Sequence, residues 1–111
     1  MPNGDDPDDQ YPLYPRGMLI RHGLDRAVDL ASVMGGWTEE ELRAAFWPAY
    51  AAIRQSDIEL ERCWGIDGGE VVSLLNGHPI YVSEDRWAFQ VLAGSTLIEP
   101  IAAAMRRQRT G

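Results

Sequence analysis

The side chains best suited to chemistry in this 111-residue chain are two histidines and one cysteine, His22, His78 and Cys63. Histidine can act as an acid, a base or a metal ligand, and a thiolate can act as a nucleophile. These residues show no ligand pair at helical or zinc-knuckle spacing, and no base is identifiable beside Cys63. We therefore expect Cys63 to pack in the core, and we predict no catalytic, cofactor-binding or metal-binding residue.

The segment Arg21-His22-Gly23 follows the apolar run Met18-Leu19-Ile20. A strand that ends in Arg-His-Gly resembles the opening motif of the histidine phosphatases, in which the histidine takes the phosphoryl group and the arginine holds it. The resemblance covers six residues, and Leu24-Asp25 replaces the acidic-or-amide and hydroxyl pair that usually follows. The family's second histidine would have to be His78, which lies beside a predicted turn. We therefore interpret His22 as a surface histidine that precedes a helix.

Large aromatic residues are concentrated in one segment, and they are Trp37, Phe46, Trp47, Tyr50 and Trp64. They could form a compact core around one helix. Adjacent residues on a helix point about 100° apart, so Phe46 and Trp47 cannot both face inward. Phe46 belongs to the apolar stripe Leu42, Phe46, Ala49, Tyr50 and Ile53. We predict that Trp47 is an exposed anchor and that Trp47 and Tyr50 bind a partner, because such aromatics dominate protein interfaces.

Residues 1–15 have the composition of a flexible acidic tail. Its aspartates repel one another and its prolines prevent regular hydrogen bonding. These residues are Asp5, Asp6, Asp8 and Asp9 with Pro2, Pro7, Pro12 and Pro15. Tyr11 and Tyr14 are costly to leave in water, so we predict that they contact the domain or a partner. Residues 16–111 are predicted to form a single small globular domain.

Two capping boxes predict helix starts, one in Thr38-Glu39-Glu40-Glu41 and one in Ser56-Asp57-Ile58-Glu59. The first helix carries the apolar stripe. It is expected to kink or break at Pro48, which has no amide to donate. The second helix is expected to run to Trp64, where a glycine follows it.

A hairpin is predicted for residues 70–75 and 78–83. The intervening Asn76-Gly77 pair favours a type I′ turn, because both positions need positive φ. A helical interpretation of residues 70–75 remains the alternative, since short apolar runs discriminate poorly between strand and helix.

The other elements are predicted from periodicity and capping residues. Residues 17–20 are expected to form an edge strand or an extended lead-in, and residues 24–34 a helix. Further helices are expected to start at Ser83 and near Thr96. The predicted fold is therefore α+β but mainly α, with about five short helices and one small β-hairpin.

Ala31 and Gly35, followed by a capped helix, resemble the alanine and turn-glycine spacing of the bacterial helix-turn-helix unit. The resemblance implies that the second helix enters the major groove of DNA. That helix opens with Glu39, Glu40 and Glu41, whose carboxylates would face phosphates. An ordinary corner between two helices is the simpler interpretation.

The composition limits the classes of partner. Ten basic and 17 acidic residues give a net charge of −7, which argues against a nucleic-acid partner because phosphate binding needs cations. No apolar run approaches the roughly 20 residues that span a bilayer, and the polar N-terminus does not resemble a secretory signal. A single cysteine cannot form an internal disulfide, so we expect a cytoplasmic protein.

The absence of a chemical motif, the small size and the aromatic content together favour a non-enzymatic function. The sequence predicts a protein-binding accessory, adaptor or regulatory module that acts in a homo- or hetero-oligomer. Its partner would be another protein or a second copy of the chain. The alternative is a helix-turn-helix DNA-binding regulator, and a small cofactor-free enzyme ranks third.

Overall fold

The computed structural model describes residues 16–65, 68–86 and 88–110. Its helices and strands, numbered here in chain order, are α1 (Arg16–Arg21), β1 (Val28–Asp29), α2 (Leu30–Val33), α3 (Glu39–Ile53), β2 (Asp57–Trp64), β3 (Gly68–Leu75), β4 (His78–Asp85), β5 (Phe89–Ala93) and α4 (Ser95–Thr110).

The five described strands form one antiparallel sheet in the order β1-β5-β4-β3-β2. Strands β2 to β5 form a meander, and the two-residue β1 pairs with the outer side of β5. The prediction of a mainly α fold with one small hairpin is therefore wrong: the fold is α+β with a large sheet. The error has two main sources, since two long segments predicted as helices are strands.

The first of these segments is β2. Ser56 does not cap a helix, because residues 57–64 pair along their length with β3. The capping-box signature coincides here with an alternation of polar and apolar residues, Asp57-Ile58-Glu59-Leu60, which suits a strand. Pairing with β3 outweighs the local helix signal, as tertiary contacts often do.

The second segment is the β4–β5 hairpin. Ser83 lies inside β4 instead of starting a helix, and Phe89, Val91 and Ala93 alternate as buried residues of β5. Asp85 forms the connection: its amide donates to the Ala88 carbonyl at 2.9 Å, and its carboxylate accepts the Ala88 amide at 2.7 Å. The period of two in β5 is therefore the signal that the helical interpretation overlooked.

The predicted hairpin about Asn76-Gly77 is confirmed, with φ of 54° and 84° at the two turn residues. Asn76 has a second role, because its side chain closes the end of α3. Its Oδ1 accepts the Gln55 and Ser56 amides at 2.6 and 3.0 Å, and its Nδ2 donates to the Ile53 carbonyl at 2.9 Å. The turn thus fixes where the chain leaves α3 and enters β2.

The N-terminal described segment differs from its prediction. Residues 17–20 lie in α1 instead of a strand. Residues 24–34 are not one helix: they contain a turn, β1 and the four-residue α2, whose N-cap is Asp29. Leu24 and Leu30 are both buried, but they pack in different clusters on opposite sides of the sheet.

The long helices follow their sequence signals more closely. The Thr38–Glu41 capping box of α3 is confirmed in both directions, with hydrogen bonds of 3.1 and 2.8 Å. Pro48 does not break α3, which continues to Ile53. Helix α4 packs beside it, with Gln108 donating to the Ala45 carbonyl at 3.0 Å and Arg109 to Glu41 at 2.6 Å. None of the helices in the described ranges has the length and hydrophobicity needed to cross a membrane.

The two faces of the sheet are buried by different elements and to different extents. Helices α3 and α4 cover one side, here called the helix face, to which Leu75, Ile80, Val82, Phe89 and Val91 contribute buried side chains. The opposite side, here called the back face, holds a smaller buried cluster of Met18, Leu24, Val72 and Tyr81. Strand β2 lies at the edge where both covers end.

Candidate functional site

Trp47 lies on the flank of α3. Phe46 beside it is fully buried, whereas Trp47 is 41% exposed, as the apolar stripe predicts. The exposed ring is nevertheless held in place. Its centroid lies 4.8 Å from that of Phe46 and 5.4 Å from that of Tyr50, and its Nε1 donates to Glu84 Oε1 at 3.3 Å. Trp47 is thus an exposed aromatic residue with a restricted orientation.

A groove runs along the helix face between α3 and β2, and it is called the Trp47 groove below. It consists of two adjoining cavities of about 600 and about 270 Å³. Residues common to both are Trp47, Arg62, Val71 and Val82. The groove exists because α3 packs over the middle of the sheet and leaves the helix face of β2 open.

The Trp47 groove has an apolar floor and charged walls. Val71 and Val82 form the floor. Arg43 on α3 lies 3.6 Å from Glu84 on β4, and Arg62 on β2 is paired with Glu59. The cavity lining thus alternates guanidinium and carboxylate groups around an aromatic wall, an arrangement that suits a segment with both apolar and charged side chains.

Two carboxylates on the strands that form the groove, Glu59 on β2 and Glu70 on β3, have pKa values shifted in opposite directions. The Arg62 guanidinium holds the pKa of Glu59 below its ordinary value. Burial, together with the nearby Asp85 carboxylate, raises the pKa of Glu70. The shifts have ordinary causes, ion pairing for Glu59 and desolvation for Glu70, so neither indicates a catalytic pair.

Tyr50 lies beneath the groove. Its ring is buried in the core of the helix face and contacts Phe46 and Trp47. Burial, and then hydrogen bonding to Asp57 on β2, raise the pKa of its hydroxyl. Of the four predicted partner-binding residues, Trp47 is exposed and Tyr50 supports it, while Tyr11 and Tyr14 lie outside the described residues.

The edge strand β2 carries exposed apolar residues that the sequence reasoning missed. Ile58 is 58% exposed and Leu60 is 41% exposed. The register with β3 shifts between Glu59 and Glu61, which leaves Leu60 as the extra residue of a bulge. The alternating Asp57-Ile58-Glu59-Leu60 pattern is the signal that could have identified both the strand and its exposed apolar side chains.

Arg21 and His22 form an ion-pair cluster with Glu61 on the back face. Arg21 donates to both carboxylate oxygens, at 3.2 and 2.5 Å, and His22 Nε2 lies 2.9 Å from Oε1. The guanidinium first, and then the imidazole, hold the pKa of Glu61 below its ordinary value. The Arg-His-Gly motif begins at the last residue of a helix instead of ending a strand, and it attaches α1 to β2.

The other candidate chemical groups do not converge with this cluster. His78 is exposed at the start of β4, opposite Leu75. Cys63 is half-buried against the back-face cluster, where its packing matches the expectation. Within residues 16–65, 68–86 and 88–110, no group of three or more potential ligands could hold a metal ion.

The chain has no significant match among protein-family models, curated proteins or solved structures. Two surfaces of the molecule have a geometry that suits a partner. They are the Trp47 groove on the helix face and the exposed edge of β2 beside it.

Proposed function

We propose that this chain is a non-enzymatic protein-binding accessory that holds an extended segment of another protein in the Trp47 groove. The observation that supports the proposal most directly is that the Trp47 ring is exposed. Its orientation is nevertheless restrained by contacts with Phe46, Tyr50 and Glu84. An aromatic ring that is already ordered loses little side-chain entropy when a partner covers it. Tryptophans of this kind dominate binding energy at protein interfaces.

The groove also determines what kind of segment would fit. Its apolar floor would take aliphatic or aromatic side chains, while Arg43, Arg62 and Glu84 would select charged neighbours. Gly68 and Gly69 form one end of the lining without side chains. Gly68 is fixed as glycine, because a Cβ there would lie 2.0 Å from the Glu84 carbonyl oxygen. A partner segment could therefore approach the backbone of these two glycines closely at this end of the groove.

The DNA-binding alternative has less support. The apolar side of α3 is used by the core, since Leu42, Phe46 and Ala49 are buried. Its first turn carries Glu39, Glu40 and Glu41, and Glu41 is engaged in the capping box. A carboxylate-rich helix start is repelled by phosphates, so the groove is the better-supported site.

The test is selection of random linear peptides displayed on phage against the immobilised full chain. The selected peptides are then titrated by fluorescence anisotropy. Trp47→Ala should weaken their binding about 30-fold, which corresponds to about 2 kcal/mol for a central aromatic. Ile20→Ala is the matched control, because Ile20 is an exposed apolar residue of α1. Its affinity should equal that of the wild type.

Two outcomes would overturn the proposal. One is a selection that enriches no peptide on the folded wild-type chain. The other is a set of peptides that bind Trp47→Ala as tightly as wild type, which would put the binding surface elsewhere. Circular dichroism of each variant confirms that a loss of affinity is not a loss of folding.

A further inference from the structure

Strand β2 forms the open edge of the sheet beside the Trp47 groove, and its Arg62 also lines that groove. Strand β2 is eight residues long and pairs on one side with β3. No strand within residues 16–65, 68–86 and 88–110 pairs with its other side. Such an edge offers a row of backbone donors and acceptors to another strand, and Ile58 and Leu60 add exposed apolar area beside it.

The bulge in β2 has a consequence for its charges. Glu59 pairs with Ser73 and Arg62 pairs with Val71. Ser73 and Val71 are two residues apart on β3, so they share a face of the sheet. Glu59 and Arg62 therefore share the helix face, although residues three apart in a regular strand would lie on opposite faces. The extra residue Leu60 shifts the alternation of side chains along β2 by one position, which brings Glu59 and Arg62 onto the same face.

We infer that β2 pairs antiparallel with β2 of a second copy, about a two-fold axis that passes between Leu60 and Glu61. In this register Glu59 lies opposite Arg62 of the second copy, and Arg62 lies opposite its Glu59. A two-fold axis perpendicular to the sheet keeps each face on its own side. The four charges therefore lie together on the helix face, with opposite signs adjacent.

The rest of the register is compatible with this pairing. Ile58 and Cys63 each face the back side of the sheet, as their pairing with Leu74 and Glu70 requires, and they come opposite each other across the axis. Glu61 lies opposite Val72 on β3, and Leu60 is the extra residue before it. Because the two residues of such a bulge oppose a single partner, we assign Leu60 to the same face as Glu61. Every opposed pair thus lies on a common face, which a regular strand could not achieve in this register.

A neighbouring register is disfavoured by the faces of the sheet. Moving the axis onto Leu60 would place Glu59, on the helix face, opposite Glu61 of the second copy, on the back face, so the opposed side chains would not share a face. Charged residues and bulges commonly protect sheet edges from indiscriminate pairing. In β2, the bulge and the charged residues leave one register in which opposed side chains share a face and carry complementary charges. They therefore favour pairing with a second copy instead of preventing all pairing.

The experiment is sedimentation equilibrium of the full chain over a range of concentrations. The wild type should form dimers. Leu60→Lys should be monomeric, because it places a charge at the centre of the pairing. Its fold should be retained, since Leu60 is exposed. Glu59→Arg and Arg62→Glu should each weaken the dimer at least tenfold, because either change makes both cross-strand pairs repulsive.

An equimolar mixture of Glu59→Arg and Arg62→Glu is the decisive sample. In the mixed dimer each cross-strand pair again joins opposite charges, so association should return to near the wild-type level. Rescue by mixing has no explanation in the folding of either variant alone. It would not occur if the variants had merely lost their internal Glu59–Arg62 pair.

A wild-type chain that stays monomeric would overturn the inference. A dimer that persists in Leu60→Lys, or a mixture that fails to associate, would overturn it equally. Trp47→Ala should leave the dimer intact, and monomeric Leu60→Lys should still bind the selected peptides. The two proposals can therefore fail independently.

Discussion

The two faces of the sheet are covered by different physical means. On the helix face, α3 and α4 bury a continuous apolar cluster that includes Phe46, Ile98 and Met105. On the back face, the six-residue α1 contributes Met18 to a small cluster, and its end is attached to β2 by Arg21, His22 and Glu61. Apolar burial scales with area and is largely independent of pH, whereas the ion-pair cluster depends on ionisation.

The difference explains why β2 is the exposed side of the molecule. Helix α3 stops short of it on the helix face and leaves the Trp47 groove. On the back face α1 reaches it through polar contacts to Glu61, while Ile58 remains exposed. The opposite edge is different, because β1 has only two residues and runs directly into α2. A short edge of this kind offers little to a pairing strand.

Phe46→Ala should produce the largest effect, because it removes a fully buried ring from the cover of the helix face. The expected loss of stability is about 3–5 kcal/mol. Trp47→Ala, on the neighbouring residue, should cost about 1 kcal/mol or less, since its ring is partly exposed. Urea unfolding followed by circular dichroism measures both. A Trp47→Ala variant that unfolds earlier than Phe46→Ala would mean that the two rings have exchanged roles.

Asn76 should have the next largest effect, because it connects the end of α3 to the β3–β4 turn. Asn76→Gly removes three hydrogen bonds and tolerates positive φ, so it should cost about 1–2 kcal/mol. Asn76→Ala should cost about 1 kcal/mol more, because alanine is strained at φ of 54°. Asn76→Asp keeps the acceptor for the Gln55 and Ser56 amides and should fall closest to the wild type. Equal urea midpoints for all four proteins would show that the connection adds no stability.

The elements that could be predicted from sequence are those with local signals. The capping box predicts helix α3, the apolar spacing predicts α4, and Asn76-Gly77 predicts the β3–β4 turn. Strand β2 was not predictable in the same way, because Ser56 and Glu59 imitate a capping box. The alternation of residues 57–60 favours a strand within the same window, and pairing with β3, which a local window does not show, decides between the two signals.

The residues of the candidate site also differ in whether a local sequence signal predicts them. The exposure of Trp47 follows from its offset from the apolar stripe of one helix, so the sequence was sufficient. Arg62 and Glu84 join it through the register of three strands, which no spacing rule provides. The shared face of Glu59 and Arg62 depends on a single bulge, and bulges leave no reliable trace in one sequence.

The smallest expected effect concerns the cover of the back face, and it depends on pH. Arg21 first, and then His22, hold the pKa of Glu61 below its ordinary value of about 4.3. A carboxylate whose pKa is lower in the folded state stabilises the fold at pH values above the unfolded pKa. That contribution is lost as pH falls through the folded pKa. The attachment of α1 should therefore hold at neutral pH and weaken in acid, as pH falls through the lowered pKa of Glu61.

Glu61→Gln removes this pH dependence. At pH 7 the variant should melt at a lower temperature than the wild type, and the difference should shrink steadily as pH falls through the carboxylate range. Asp25→Asn is the control, because it removes one carboxylate from the exposed turn after α1. Its difference from the wild type measures the effect of removing one exposed carboxylate outside the cluster of Arg21, His22 and Glu61. If the Glu61→Gln difference did not change with pH, packing of Met18 alone would hold the back-face cover, and the two faces would differ only in buried area.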